Sequence, residues 1–264
     1  MLWLLASLVV LYAAICVGML LLEPRLLFLP PQVERRVLHD MARDFGATEL
    51  TVTTEDGLPL YGWRYGEGPT LVVLFSGNAA TVGAWTPRYS RLAQAGYSVL
   101  HVNYRGYPGS TGSPSEEGLN SDARAVWAEA LRTHSADDIV VYGKSLGGGV
   151  AAGLVAELDQ RPRALILEST FTSTPDVAAE TYFWLPVHLL MRNTFRTRDR
   201  ADQLELPVLL LHGTADELIG PHHAQALHEA LPQSTLLLLD GAGHNDDLLE
   251  LPEAWTAFQD FVQP

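Results

Sequence analysis

Apolar residues run along this chain in three successive patterns. Residues 2–22 carry no charge, a run long enough to cross a bilayer as a helix. Residues 23–31 stay largely apolar around Arg25 and close on Pro30-Pro31, which suits the membrane–water interface. Beyond residue 47, short apolar runs alternate with helix-length stretches. Runs 50–53 and 58–65 alternate apolar and polar positions around Asp56-Gly57, which predicts an antiparallel hairpin. Runs 70–75, 139–142, 164–167, 208–211 and 235–239 are rich in Val, Ile and Leu, as buried strands are, and 97–102 is a further predicted strand. Helical stretches are predicted up to about residue 95, over 116–133, directly after Ser145, over 222–230 and from about 246 to 261. The pattern predicts a mainly parallel sheet of about eight strands flanked by helices, with the hairpin at its start. Only residues 171–205 break the rhythm, being rich in aromatic and aliphatic side chains without a strand. The expected organisation is an anchor over 1–23, a connecting segment over 24–47 and one α/β domain over 48–264.

Composition adds to this picture in three places. The 264 residues are 47% hydrophobic, enough for one sizeable core plus the apolar amino-terminal segment. That segment lacks the basic start, short core and small-residue cleavage site of a signal peptide, and Ile15 before Cys16 is unsuited to lipoprotein cleavage. An uncleaved single-pass anchor is expected. Arg25, Arg35, Arg36 and Arg43 all follow the span, which points to a cytoplasmic domain. The single cysteine, Cys16, lies within the span and supplies neither a disulfide nor a thiolate metal site. A net charge of −14 counts against a nucleic-acid partner, which needs a basic footprint.

The chemistry centres on Gly143-Lys144-Ser145-Leu146-Gly147, which joins the 139–142 strand to a helix rich in Gly, Ala, Val and Leu. A serine at such a turn is held in a strained backbone with its hydroxyl exposed, and its neighbours must be small because strand and helix pass close together. Two rival readings of these glycines fail. A phosphate-binding loop ending at Gly143-Lys144-Ser145 requires glycine at 138, where the chain has Asp138. A dinucleotide fingerprint through Gly147 and Gly149 starts two residues beyond the serine rather than in the turn.

A serine hydroxyl needs a base to take its proton and an acid to orient that base. The strand 208–211 leads into Thr214-Ala215-Asp216, and 235–239 leads into Gly243-His244-Asn245-Asp246. The order Ser145, Asp216, His244 is the one expected of a strand–turn–helix serine nucleophile. Each partner also has a plainer reading: Asp216 as the cap of a turn, with Glu217 its rival as the acid, and His244 as a solvated loop residue. Asp240 and Asp246 lie too close to His244 in sequence to orient it, and His212 reads as structural. For the oxyanion, the donors expected are the N–H groups of Leu146 and of Asn78 in the loop after residue 75, although Ser76-Gly77-Asn78 is also an ordinary turn. There is no H-E-x-x-H and no cysteine pair, so neither a metal nor another cofactor is implied.

The segments SGNAAT, NYRGYPGSTGSP, GKSLGGGVA, LESTFTS, YFWLP, LHGTADELI and GAGHND together resemble the α/β-hydrolase superfamily, over roughly residue 50 to the end. The similarity is greatest to its membrane-anchored branch of depalmitoylase-like hydrolases and bacterial relatives labelled as peptidases. The resemblance implies an α/β-hydrolase fold, a Ser145–Asp216–His244 triad, a short helical lid over about 171–205 and residence in a bacterial inner membrane. The family's oxyanion loop usually reads His-Gly-Asn, and Ser76 stands in the first position here. Within the lid, Trp184, Leu185 and Leu189 could line an acyl pocket or simply cover the core. The expected activity is cleavage of carboxylic ester or thioester bonds in acyl lipids or acylated proteins. A serine peptidase of the same fold is the alternative, and a membrane-tethered binding module without catalysis is a third.

Overall fold

The computed structural model describes residues 2–263. Eight strands form one sheet: β1 (Thr48–Thr53), β2 (Pro59–Tyr65), β3 (Thr70–Phe75), β4 (Tyr97–Val102), β5 (Ile139–Lys144), β6 (Ala164–Glu168), β7 (Val208–Gly213) and β8 (Ser234–Leu239). Their spatial order is β1-β2-β4-β3-β5-β6-β7-β8. β2 pairs antiparallel with β1 and β4, and the remaining neighbours are parallel. The hairpin at Asp56-Gly57 therefore lies at one edge, as its alternating pattern predicts.

The two faces of the sheet are covered by different helices. Leu71, Val73 and Phe75 of β3 join one core, which includes α4 (Glu116–Leu131) and α5 (Leu146–Glu157). Val72 and Leu74 point the other way, toward α2 (Arg35–Phe45), α3 (Thr86–Gln94) and α9 (Pro252–Val262). This period of two, with every β3 residue buried, is why the run reads as continuously apolar. α8 (His222–Ala230) completes the covering layer on the first face through Leu227.

Helix α1 (Leu2–Leu27) continues past the expected anchor boundary at residue 23 and carries Pro24 within it. Within the expected connecting segment, α2 occupies residues 35–45. Leu38, Met41, Ala42 and Phe45 form its inward stripe at helical spacing, and Gly46 ends it with φ 77°. The final helical stretch starts later than expected: Leu248–Glu250 forms a short 3-10 turn, and α9 begins at Pro252, a favourable first helical position.

Between β6 and β7 lie only helical pieces: α6 (Thr174–Thr181), α7 (Val187–Leu190) and a 3-10 segment, Arg198–Gln203. α6 and α7 line a cavity beside Ser145, at the carboxyl end of β5, and are the part of the expected lid that reaches the site; the 3-10 segment packs instead into the core through Ala201. Ser173 caps α6 by accepting from the Asp176 N–H. Glu180 of α6 ties the lid to α8, with Oε1 2.8 Å from His222 Nε2 and 3.0 Å from His223 Nε2.

Candidate active site

Ser145 sits between β5 and α5 with φ 53° and ψ −120°, a conformation that L-residues avoid. The turn is held by short-range necessity. A Cβ on Gly143 would lie 2.3 Å from the Gly147 carbonyl oxygen, and one on Gly147 would lie 2.0 Å from that of Phe75. Backbone contacts fix the strained residue: its N–H donates to the Glu168 carbonyl at 2.8 Å, and its own carbonyl accepts from Thr170 Oγ1 at 2.9 Å. Strain of this kind persists only where the surroundings over-determine it.

The structure brings the two expected partners to this serine. His244 Nε2 lies 3.2 Å from Ser145 Oγ, and His244 Nδ1 lies 2.8 Å from Asp216 Oδ2. With Nδ1–H donating to the carboxylate, Nε2 is left as the acceptor for the serine proton. Asp216 makes contacts of the kind that each of its sequence readings calls for. Its Oδ1 caps the turn by accepting from Leu218 and Ile219 N–H, at 3.0 and 2.8 Å, while Oδ2 faces the histidine. His212 braces this loop, with Nε2 donating to the Ile219 carbonyl at 2.7 Å and lying 3.3 Å from Asp216 Oδ2. Burial alone would raise the Asp216 pKa, but hydrogen bonds from His212, His244 and Ile219 N–H outweigh it and hold the carboxyl well below the usual range.

The rival acids are occupied elsewhere. Glu217 is exposed, and Asp240 accepts from Thr214 Oγ1. Asp246 accepts from the Gly243 N–H at 2.8 Å and so shapes the histidine loop without orienting the ring. Leu146 opens α5, and the first N–H groups of a helix have no partner within it, so its amide is free to face an oxyanion. The Asn78 loop passes close by: a Cβ on Gly77 would touch Ser145 Cβ at 3.5 Å. Two tyrosines brace that loop. Tyr104 donates to the Ser76 carbonyl at 2.9 Å, and Tyr107 donates to the Asn78 carbonyl at 2.7 Å.

Ser145 lies where two cavities meet. One, of about 360 Å³, is largely apolar and reaches Leu185 and Leu190 of the lid and Met19 and Glu23 of α1. The other, of about 560 Å³, is more polar and holds His244, Lys144, Arg88 and Asp247. Of the three lid residues expected to bind substrate, Leu185 is in the apolar wall. Trp184 and Leu189 are not; they are 49% and 86% exposed and face outward. α7 is a single turn, so neighbouring apolar residues point in opposite directions, which the sequence pattern could not resolve.

Over residues 70–200 the chain matches the family described as alpha/beta hydrolase fold, and over 186–248 the family described as TAP-like protein. An uncharacterized protein of Mycobacterium tuberculosis is 35% identical over 206 residues, spanning 75% of this chain and 72% of that one. The chain belongs to the alpha/beta hydrolase fold family. Two fungal relatives of this hydrolase extend the match. Protein bem46 of Schizosaccharomyces pombe is 39% identical over 66% of this chain and 60% of its own. An uncharacterized membrane protein of Saccharomyces cerevisiae is 30% identical over 81% and 78%. An esterase structure from Pyrococcus furiosus shares the fold, with a TM-score of 0.68 at 20% identity over 89% of this chain and 97% of that one.

Around the hydrolase site lie residues that sequence reasoning did not single out. Glu168, at the end of β6, is fully buried beneath the Ser145 turn. It accepts from Arg88 at 2.6 Å, lies 2.8 Å from Lys144 Nζ and meets the Tyr142 hydroxyl. Burial opposes its charge, yet Arg88 and Lys144 hold it well below the ordinary carboxylate range. Arg88 also reaches Asp247, so the network joins β6, α3 and the histidine loop. The Glu in LESTFTS and the lone lysine beside the serine were visible in sequence, but their pairing required the β5–β6 register, Lys144 opposite Glu168.

Proposed function

We propose that the protein is a membrane-anchored serine hydrolase that cleaves carboxylic ester or thioester bonds of acyl lipids or acylated proteins. The observation that carries this reading is the continuous line from Asp216 Oδ2 through His244 to Ser145 Oγ, 2.8 and 3.2 Å long, ending on a strained serine between an apolar and a polar cavity. His244 Nε2 takes the hydroxyl proton as Ser145 Oγ bonds to the substrate carbonyl carbon. The carbonyl oxygen becomes an oxyanion that accepts from the Leu146 and Asn78 N–H groups. When it collapses, the C–O or C–S bond breaks and His244 returns the proton to the leaving alcohol or thiol. Water then repeats the sequence on the acyl-serine, releasing a carboxylic acid and restoring the hydroxyl.

The 26-residue apolar helix α1 supports an uncleaved anchor, and a yeast relative described as a membrane protein fits with it. Arg25, Arg35, Arg36 and Arg43 then favour a cytoplasmic domain at a bacterial inner membrane. The decisive experiment is labelling of the purified protein by a fluorophosphonate probe, with Ser145→Ala and His244→Ala alongside. Labelling of the wild type alone is expected, whereas unlabelled but folded wild type would remove the catalytic reading in favour of a binding module. Faster turnover of aminoacyl anilides than of matched p-nitrophenyl esters would favour a peptidase instead.

A further inference from the structure

Helix α1 does more than lead to the domain. Met19, Glu23, Leu26 and Leu27, spaced i, i+4, i+7 and i+8, form one helical face and one wall of the apolar cavity beside Ser145. Three polar contacts hold that face in place. The Glu23 carboxylate, only 6% exposed, accepts from the Asn193 N–H at 2.9 Å and from its Nδ2 at 2.9 and 3.0 Å. The Leu29 N–H donates to Asn78 Oδ1 at 2.8 Å, and the Tyr12 hydroxyl donates to the Trp184 carbonyl at 2.9 Å.

The last contact sets the depth of the lid. Tyr12 lies in the middle of the uncharged run, so the lid tip beside it stands at the level of the apolar helix. That tip displays Phe183, Trp184 and Leu189, with Phe183 84% exposed. An apolar surface of this kind, continuous with a membrane-spanning helix, is suited to hydrocarbon rather than water. The cavity lies between the lid and α1, while the polar cavity lies on the other side of Ser145.

We infer that α1 is a wall of the acyl-binding site, and that the substrate is a bilayer-resident acyl ester or thioester whose chain enters sideways between α1 and the lid. The polar leaving group then occupies the cavity lined by Lys144, Asn245 and Asp247. This rests on the serine-hydrolase reading above, and it assigns to the anchor helix the selection of acyl-chain length.

The test uses the full-length protein in lipid nanodiscs and the ratio of kcat/KM for p-nitrophenyl palmitate to that for p-nitrophenyl butyrate. Met19→Trp and Leu26→Trp fill the cavity from the anchor side and are expected to lower that ratio at least about tenfold. Met19→Ala enlarges the cavity and should raise it. Leu21→Trp, on the opposite face of α1, should leave it unchanged. An unaltered ratio in both cavity-filling variants would overturn the proposal. A second readout needs no turnover: photo-cross-linking of a diazirine-bearing long-chain acyl amide to the Ser145→Ala protein. An excess of unlabelled amide should suppress cross-links at Met19 and Leu26 but not at Leu21; equal suppression, or none, counts against the wall. Failure of fluorophosphonate labelling would remove the catalytic reading, and the competition experiment would still decide the role of α1.

Discussion

The backbone N–H of Leu29 donates to the side-chain oxygen of Asn78 at 2.8 Å, joining the segment that follows α1 to the loop beside Ser145. The same side-chain oxygen lies 3.0 Å from the Tyr107 hydroxyl, so Asn78 is gripped from both sides. In the proposed mechanism its backbone amide stabilises the oxyanion and its side chain sets where that amide stands.

Asn78→Ala removes the grip and keeps the amide. Its kcat on a short p-nitrophenyl ester should fall about tenfold, less than the 10²–10³ typical when a donor is deleted outright. Tyr107→Phe, which loses the hydroxyl but leaves the Leu29 contact, should cost less. Steady-state kinetics of both variants check the order, and equal rates in all three proteins would refute a positioning role.

Asp216→Asn should lower kcat by about 10⁴-fold, because an amide favours the wrong histidine tautomer. The turn itself should survive, since an Asn oxygen can still accept from Leu218 and Ile219 N–H. Circular dichroism together with single-turnover rates separates these effects.

Acid should destabilise the fold through Asp216 and Glu168. Both carboxyls sit below their ordinary range in the folded protein, because hydrogen bonds and cations overcome the cost of burial. Their contribution is complete above the unfolded carboxylate values of about 4 and is lost as pH falls toward the folded values, the unfolded chain taking up protons first. Thermal unfolding should therefore show Tm dropping steeply below about pH 4. Glu168→Gln should be less stable at neutral pH, having left Lys144 without its anion and Arg88 with Asp247 alone, and should lose less on acidification. Parallel pH profiles for the two proteins would contradict this account.

Gly147→Ala places a methyl group 2.0 Å from the Phe75 carbonyl oxygen and should destabilise the domain by about 1–3 kcal/mol in urea unfolding. Gly77→Ala makes only an ordinary 3.5 Å contact with Ser145 and should fold normally. A large loss in the second and none in the first would mean that the nucleophile turn is looser than its geometry implies.

Much of this protein follows from short-range pattern. The runs over 70–75 and 97–102 coincide with β3 and β4 because a strand covered on both faces is mostly apolar; the polar Ser98 and His101 of β4 are buried as well. The nucleophile turn was legible for a similar reason: Gly143 and Gly147 are required by clashes within a few residues of Ser145 or with the adjacent strand. Asp216 and His244 were legible as candidates because both follow strands, but that their side chains meet depended on the pairing of β7 with β8 and the convergence of their loops.

Tertiary structure alone decided what the apolar faces meet. Residues 2–22 and 182–191 are both largely hydrophobic, yet Leu185 lines a cavity, Leu189 faces outward and Met19 of α1 lines the same cavity as Leu185. Periodicity records which side of an element avoids water, not whether core, cavity or bilayer receives it. The Glu23–Asn193 contact joins residues 170 positions apart, and no local pattern distinguishes a glutamate that ends an apolar run from one that ties α1 to the segment between β6 and β7. Such pairings depend on the three-dimensional positions of α1 and the lid, which are fixed only when the sheet and its covering helices have assembled.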